Sequence, residues 1–291
     1  MFTGTLTALV TPFRDGRLDE RALRELCEWQ IGEGIHGLVV CGSTGEAAAL
    51  STQEKVLATR IVVEQARKRV PVVAGSGTNS TASTIELTRA LREAKPDAVL
   101  VVTPYYVKPT QAGLVEHYRA VAEVGLPVVA YNVPGRTGVS LAADTVGKLA
   151  GIRGLVALKE ASADLRLDAA MARLCGEMAL LSGDDFTYLP FLAVGGRGCI
   201  SVASNVVPRR MADLYERFRK NDLAGAREIQ LGLLPLMEAL FLESNPIPVK
   251  AALWRMGKIQ PEIRAPLTWL AQDKQPKLFA AMAELGLGAR P

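Results

Sequence analysis

Apolar positions along the chain fall into short unbroken runs, separated by longer stretches in which they recur every three or four residues. The runs are TLTALV (5–10), GLVVCG (37–42), VPVVAG (70–75), AVLVVT (98–103), PVVAYN (127–132), LVALKE (155–160), ALLSG (179–183) and CISVA (199–203). Such continuous apolar runs predict strands buried on both faces, as in a parallel sheet. Between them, 19–34, 51–69, 81–94, 111–124, 141–150, 164–175, 185–194 and 207–220 carry a helical period. Ser51 and Glu54 have the spacing of a capping box, which predicts a helix entrance there. Strand and helix alternate eight times, which predicts an α/β fold closed into a (β/α)8 TIM barrel. Beyond residue 221 no strand-like run remains, and 222–243, 247–257 and 274–286 read as helices punctuated by prolines. The expected organisation is a catalytic barrel over 1–221 and a C-terminal helical region over 222–291.

Charge changes this picture little. The net charge of +4 is spread through the chain, with no basic block that could track a phosphate backbone, so no nucleic-acid partner is expected. No window approaches the ~18–20 apolar residues of a membrane-spanning helix, and no basic leader opens the chain. Cys27, Cys41, Cys175 and Cys199 are far apart and form no C-x-x-C pair. They read as reduced, half-buried thiols of a cytoplasmic protein. His36 and His117 have no metal-ligand neighbours at useful spacing, so neither a metal site nor a Ser-His-Asp triad is expected.

In a βα barrel the loops after the strand ends form the active face. Lys159 closes the sixth predicted strand there. It could snorkel to water and pair with Glu160. Alternatively it is a Schiff-base nucleophile: an ordinary lysine, with pKa ~10.4, is only about one part in a thousand neutral near pH 7.4, and burial favours the neutral amine. The glycines of GSTGE (42–46) permit a tight turn whose backbone N–H groups, with Ser43 and Thr44, suit a small carboxylate. Tyr131 ends the preceding strand and could pass protons to and from an imine. Arg136, presented by a loop after a Pro-Gly turn, could hold a second carboxylate bidentately. Asp184 and Asp185 would repel phosphate and are expected to start the helix after the seventh strand. GSGTNS (75–80) lacks the third glycine of a dinucleotide loop.

In combination, GSTGE, TPYY (103–106), YNVPGRTG (131–138), LKEAS (158–162), SGDD (182–185) and NPIPVK (245–250) occur in the order and spacing of the dihydrodipicolinate synthase family. The resemblance covers essentially the whole chain and places it among the pyruvate-dependent class I aldolases. It implies that Lys159 forms an imine with pyruvate, that Tyr131 relays protons, and that Thr44 binds the pyruvate carboxylate. It further implies that Tyr106 crosses a subunit interface to complete the neighbour's relay and that Arg136 receives L-aspartate 4-semialdehyde. Gly183 and Ile200 would supply backbone contacts near the pyruvate. Ser43 stands where many members have threonine, which keeps the hydroxyl of the relay but frees its rotamer. The implied activity is 4-hydroxy-tetrahydrodipicolinate synthesis in lysine and diaminopimelate biosynthesis, without cofactor or metal, by a homo-oligomer, commonly a tetramer built as a dimer of dimers.

Two other readings stay open. N-acetylneuraminate lyases and 2-keto-3-deoxy sugar-acid aldolases share the lysine and the GSTGE-type loop. Arg136 favours the synthase, because a polyol aldehyde calls for neutral partners. A non-catalytic keto-acid-binding barrel has no need of Lys159, Tyr131 and Tyr106 together.

Lysine-inhibited members of the family bind lysine at a dimer interface, close to the positions of Tyr105 and Asn79. Here Ser83 replaces the glutamate that pairs with the ligand ammonium, and Ala47, Thr52 and Lys55 replace polar or histidine neighbours. An ammonium left without its carboxylate and facing Lys55 should bind poorly. Lysine inhibition is therefore expected to be weak or absent. Half-inhibition of turnover at low-millimolar lysine or below would overturn this expectation.

Overall fold

The computed structural model describes residues 2–288. All eight predicted strands form: β1 (Gly4–Ala8), β2 (Gly37–Val40), β3 (Val72–Gly75), β4 (Ala98–Val102), β5 (Val128–Asn132), β6 (Leu155–Glu160), β7 (Ala179–Ser182) and β8 (Gly198–Ser201). Each pairs in parallel with its chain neighbours, and β1 pairs with both β2 and β8, so the sheet closes into a barrel. A small antiparallel hairpin, Phe13–Arg14 with Arg17–Leu18, follows β1.

Around the barrel lie α1 (Glu20–Gly32), α2 (Thr52–Ala66), α3 (Thr81–Leu91), α4 (Gln111–Ala122), α5 (Ala143–Ala150), α6 (Leu165–Leu174), α7 (Tyr188–Ala193) and α8 (Pro208–Arg219). The capping box at α2 forms as its spacing predicts: the Glu54 amide donates to Ser51 Oγ, and the Ser51 amide donates to Glu54 Oε2. Three more helices follow, α9 (Leu223–Ala239), α10 (Ile247–Arg255) and α11 (Gln275–Glu284). No helix among the described residues is long and apolar enough to cross a membrane.

Side-chain alternation divides the apolar residues between two layers. Leu6, Val39, Val73, Leu100, Val129 and Ile200 fill the barrel interior. Leu38, Val40, Val99, Val101, Leu158 and Leu180 face outward and pack beneath the helices. A separate cluster joins Val10 and Cys199 to Met211, Leu233, Leu236 and Leu253, so the C-terminal helices share a core with one flank of the barrel.

Two local expectations are corrected. Asp184 and Asp185 do not lie at the start of a helix, because α7 begins only at Tyr188. Asp184 Oδ2 instead accepts from the Thr187 amide and hydroxyl, while the buried Asp185 accepts from the Val202 and Ala203 amides. Asp185 thereby ties the loop after β7 to the loop after β8. The cysteines are fully rather than half buried, and all four are free thiols.

Behind β6 lies a concentration of acid. Glu160, at the strand end, accepts from Asn132 Nδ2 at 2.7 Å and from the Ser162 amide at 2.6 Å. Asp168 of α6 is 1% exposed, and its Oδ1 has no hydrogen-bond partner among the described residues. Burial, followed by repulsion from Glu160, Asp164 and Asp184, pushes the Asp168 carboxyl up to about 7. A carboxyl whose native pKa exceeds its unfolded value favours folding most below the unfolded pKa. That favour is lost as pH rises through the native pKa. Asp168→Asn, which mimics the protonated acid, should therefore raise the melting temperature more at pH 8 than at pH 4.5. An equal effect at both pH values, measured by thermal denaturation, would contradict this titration.

Candidate active site

The register of β6 against its neighbours decides which side chain enters the barrel. Tyr131 lies opposite Lys159 across β5 and β6, and Lys159 lies opposite Leu181 across β6 and β7. Ala157 points inward with the interior cluster and Leu158 points outward with the helix-facing cluster, so alternation sends Lys159 inward and Glu160 outward. The two charges form no ion pair: the ammonium stands over the Tyr131 ring, 4.3 Å from its centroid. Lys159 is 6% exposed, so it does not snorkel to water. Among the described residues it has no hydrogen-bonding or ionic partner, and its ammonium rests on the ring.

Gly183 makes room for the lysine stem. A Cβ at that position would lie 2.8 Å from Lys159 Cε and 2.6 Å from Ala161 Cβ, so any larger residue would displace the lysine side chain. Ile200 is completely buried in the same interior cluster as Tyr131.

Above this floor opens a cavity of about 490 Å³, with Ser43, Tyr131, Val133, Arg136 and Asn245 in its wall. Lys159 is not itself in that wall, but Tyr131, on whose ring its ammonium packs, is. Arg136 belongs to a one-turn helix, Pro134–Thr137, rather than to an open loop. Pro134 presets the first helical φ, and Gly138 ends the turn in the left-handed conformation, its amide donating to the Pro134 carbonyl.

Thr44 is buried. Its Oγ1 accepts from Asn245 Nδ2 at 2.9 Å, and the Asn245 carbonyl accepts from Arg136 Nη2 at 3.0 Å. Asn245 thus touches both expected carboxylate-binding groups, and its own Oδ1 is buried without a partner among the described residues. Sequence reasoning assigned Asn245 no role. The only available signal was its place at the head of NPIPVK.

Tyr106 is the expected site residue that does not join the others. It is 86% exposed and holds a φ of 72°, in the left-handed region that non-glycine residues rarely adopt. It is not in the wall of this chain's own cavity.

The GSTGE turn is secured from below. Glu46 also adopts a left-handed φ, 54°, and its buried carboxylate is held at both oxygens. Lys250 Nζ approaches Oε1 at 2.5 Å, and the Arg264 amide donates to Oε2 at 2.9 Å. Lys250 also donates to the Thr11 carbonyl at 3.0 Å and lies 4.4 Å from the Phe13 ring centre. Burial lowers the Lys250 pKa, and the charge of Glu46 opposes that shift. On the far side, Arg264 grips Glu54 bidentately, holding that carboxyl down at about 2.

An inward lysine at the C-terminal end of a barrel strand, packed on a tyrosine beneath an arginine-bearing cavity, defines the class of Schiff-base-forming barrel lyases. A model of the dihydrodipicolinate synthetase family matches residues 1–285. The chain is 49% identical to the 4-hydroxy-tetrahydrodipicolinate synthase of Geobacter sulfurreducens, over 99% of this chain and 100% of that protein. It is 50% identical to the synthase of Nitratidesulfovibrio vulgaris strain DP4, over 98% of this chain and 99% of that one. Among solved structures, dihydrodipicolinate synthase from Thermotoga maritima superposes with a TM-score of 0.97 at 39% identity, covering 99% of this chain and 100% of that one. The chloride-inhibited dihydrodipicolinate synthase from Acinetobacter baumannii, complexed with pyruvate, also gives 0.97, at 42% identity and over 99% and 100% of the two chains. The chain belongs to the dihydrodipicolinate synthetase family.

The Glu46–Lys250 pair has a direct test. Replacing Lys250 with Met leaves a buried carboxylate without its counter-charge and should cost about 3–5 kcal/mol in chemical denaturation. Replacing Glu46 with Gln in the same chain should recover much of that loss. An unchanged denaturation midpoint in the single variant would show that the pair does not hold the turn.

Proposed function

We infer that the chain is a 4-hydroxy-tetrahydrodipicolinate synthase, a Schiff-base-forming lyase that condenses pyruvate with L-aspartate 4-semialdehyde. The observation that carries this reading is Lys159, driven into the barrel by strand alternation and set against Tyr131 without a carboxylate to hold its proton. The full-length relatives at about half identity share the activity's name. The presence of Arg136 in the cavity wall supports a second substrate that brings a carboxylate.

The Lys159 amine attacks the pyruvate carbonyl and water leaves, giving an imine. Loss of a methyl proton yields the enamine, with the imine nitrogen accepting the electron pair. The enamine carbon bonds to the aldehyde carbon of the second substrate, and the new alkoxide takes a proton. The substrate's own amine then displaces Lys159, closing the ring and returning the free lysine. Tyr131 is placed to move protons at the imine. Ser43, in the same cavity wall, would extend that relay. Thr44, within the GSTGE turn, would take the pyruvate carboxylate; Arg136 would take that of the semialdehyde. Gly183 and Ile200 would flank the bound pyruvate.

Tyr106, exposed and held in a left-handed conformation, fits a residue that reaches into a neighbouring subunit and completes its relay. The working unit on this reading is a homo-oligomer, a tetramer assembled from dimers. Four free, buried thiols fit a reducing, cytoplasmic compartment.

Borohydride reduction in the presence of pyruvate should attach one reduced pyruvyl group at Lys159, located by peptide mass spectrometry. Turnover should be far faster with aspartate semialdehyde than with sugar-acid substrates. Loss of the adduct in Lys159→Ala with retained pyruvate binding is the expected control. An adduct on another lysine, or none at all, would falsify the Schiff-base role.

A further inference from the structure

Lys159 and Tyr131 meet inside the barrel, and the next residue on each strand repeats the pairing on the outside. Asn132 lies opposite Glu160 across β5 and β6, one step beyond the Tyr131–Lys159 pair. Both side chains are buried, and Asn132 Nδ2 donates to Glu160 Oε2 at 2.7 Å. The other carboxylate oxygen, Oε1, accepts from the Ser162 amide at 2.6 Å, and Asn132 Oδ1 accepts from the Leu141 amide at 2.9 Å. The Glu160 carbonyl accepts from the Gly183 amide at 2.6 Å, which brings the residue after β7 into the same network.

This chain of hydrogen bonds has a fixed polarity. It begins and ends on backbone amides, which can only donate, so both outer positions must be acceptors. A carboxylate followed by an amide meets that demand in one arrangement, with Asn132 oriented by the Leu141 amide. A glutamine at 160 would leave a donor facing a donor whichever way either amide turned. Such a mismatch is costly in a buried network.

We propose that Glu160 and Asn132 are positioning residues for the reaction. Their bond clamps the ends of β5 and β6 from outside and so holds the Lys159 ammonium on the Tyr131 ring. The proposal rests on the synthase reading only for the chemistry that Lys159 performs.

The test reverses the polarity of the clamp. Glu160→Gln sets donor against donor, and Asn132→Asp sets carboxylate against carboxylate. In the double variant the glutamine amide donates to the new carboxylate, and every member of the chain is matched again. The three variants are compared at pH 8, well below their melting temperatures, by the rate at which borohydride traps pyruvate at Lys159 and by crystal structure. Each single variant should trap roughly tenfold to a hundredfold more slowly, with the ammonium moved off the Tyr131 ring. The double variant should recover most of the rate and return the ammonium to the ring. Folded single variants that trap at the native rate overturn the proposal. So does a double variant that regains thermal stability without regaining the trapping rate. Failure of both single variants to fold would overturn it too, since the network would then hold the fold and not the lysine. Absence of a pyruvate adduct in the unaltered chain would instead count against the synthase reading. The clamp is then judged by the structures, and it fails if the ammonium keeps its place on the ring in both single variants.

Discussion

Everything at the mouth of this barrel depends on the two-residue period of one strand. In β6 the order of Lys159 and Glu160 places an ammonium inside the barrel and a carboxylate behind it. A slip of one residue would exchange them. The inward position would then hold a carboxylate against the Tyr131 ring, and the acidic region around Asp168 would gain the lysine. The register is held by the apolar residues that precede the charges. Ala157 fits the narrow interior and Leu158 fits beneath the helices, and neither position suits the other residue.

The helical region after the barrel acts on the site through a few polar contacts. Lys250 and Arg264 both reach Glu46, and Asn245 reaches Thr44 and Arg136. The contacts lie in a buried setting, where an unpaired polar group is costly, so the GSTGE turn and the C-terminal segment each need the other. The left-handed φ of Glu46 is tolerated because the carboxylate it aims downward is held at both oxygens.

The barrel was legible because its strands are short apolar runs and its helices periodic, two signals that local sequence carries directly. Eight alternations pointed to a closed barrel, but runs buried on both faces do not show which residues point inward, so the direction of Lys159 came from the register of β6 in the structure. The site was legible by position where a residue sits at a strand end, as with Lys159 and Tyr131. It was less legible where a contact spans the chain. Asn245 and Thr44 are separated by 201 residues, and Lys250 and Glu46 by 204, so no local pattern joins them. Asp185 misled for a related reason: an acid before a helix has the composition of an N-terminal cap, but this one turns to amides of the next strand's loop. Arg136 shows a smaller version of the same limit, since a Pro-Gly pair reads as a turn and here begins a single helical turn.

The two most deeply placed lysines near the barrel mouth differ in their partners rather than in their burial, and that difference supports the proposed role of Lys159. Lys250 is the more completely buried, yet Glu46 and the Thr11 carbonyl both accept from its ammonium. Removing its proton would leave Glu46 as an uncompensated buried charge, so the pair resists the deprotonation that attack on a carbonyl requires. Lys159 faces an aromatic ring and no carboxylate, so it is tied into no buried ion pair. Reversing the assignments would need Glu46 beneath Lys159, and the outward turn of Glu160 keeps the nearest carboxylate in sequence from taking that place.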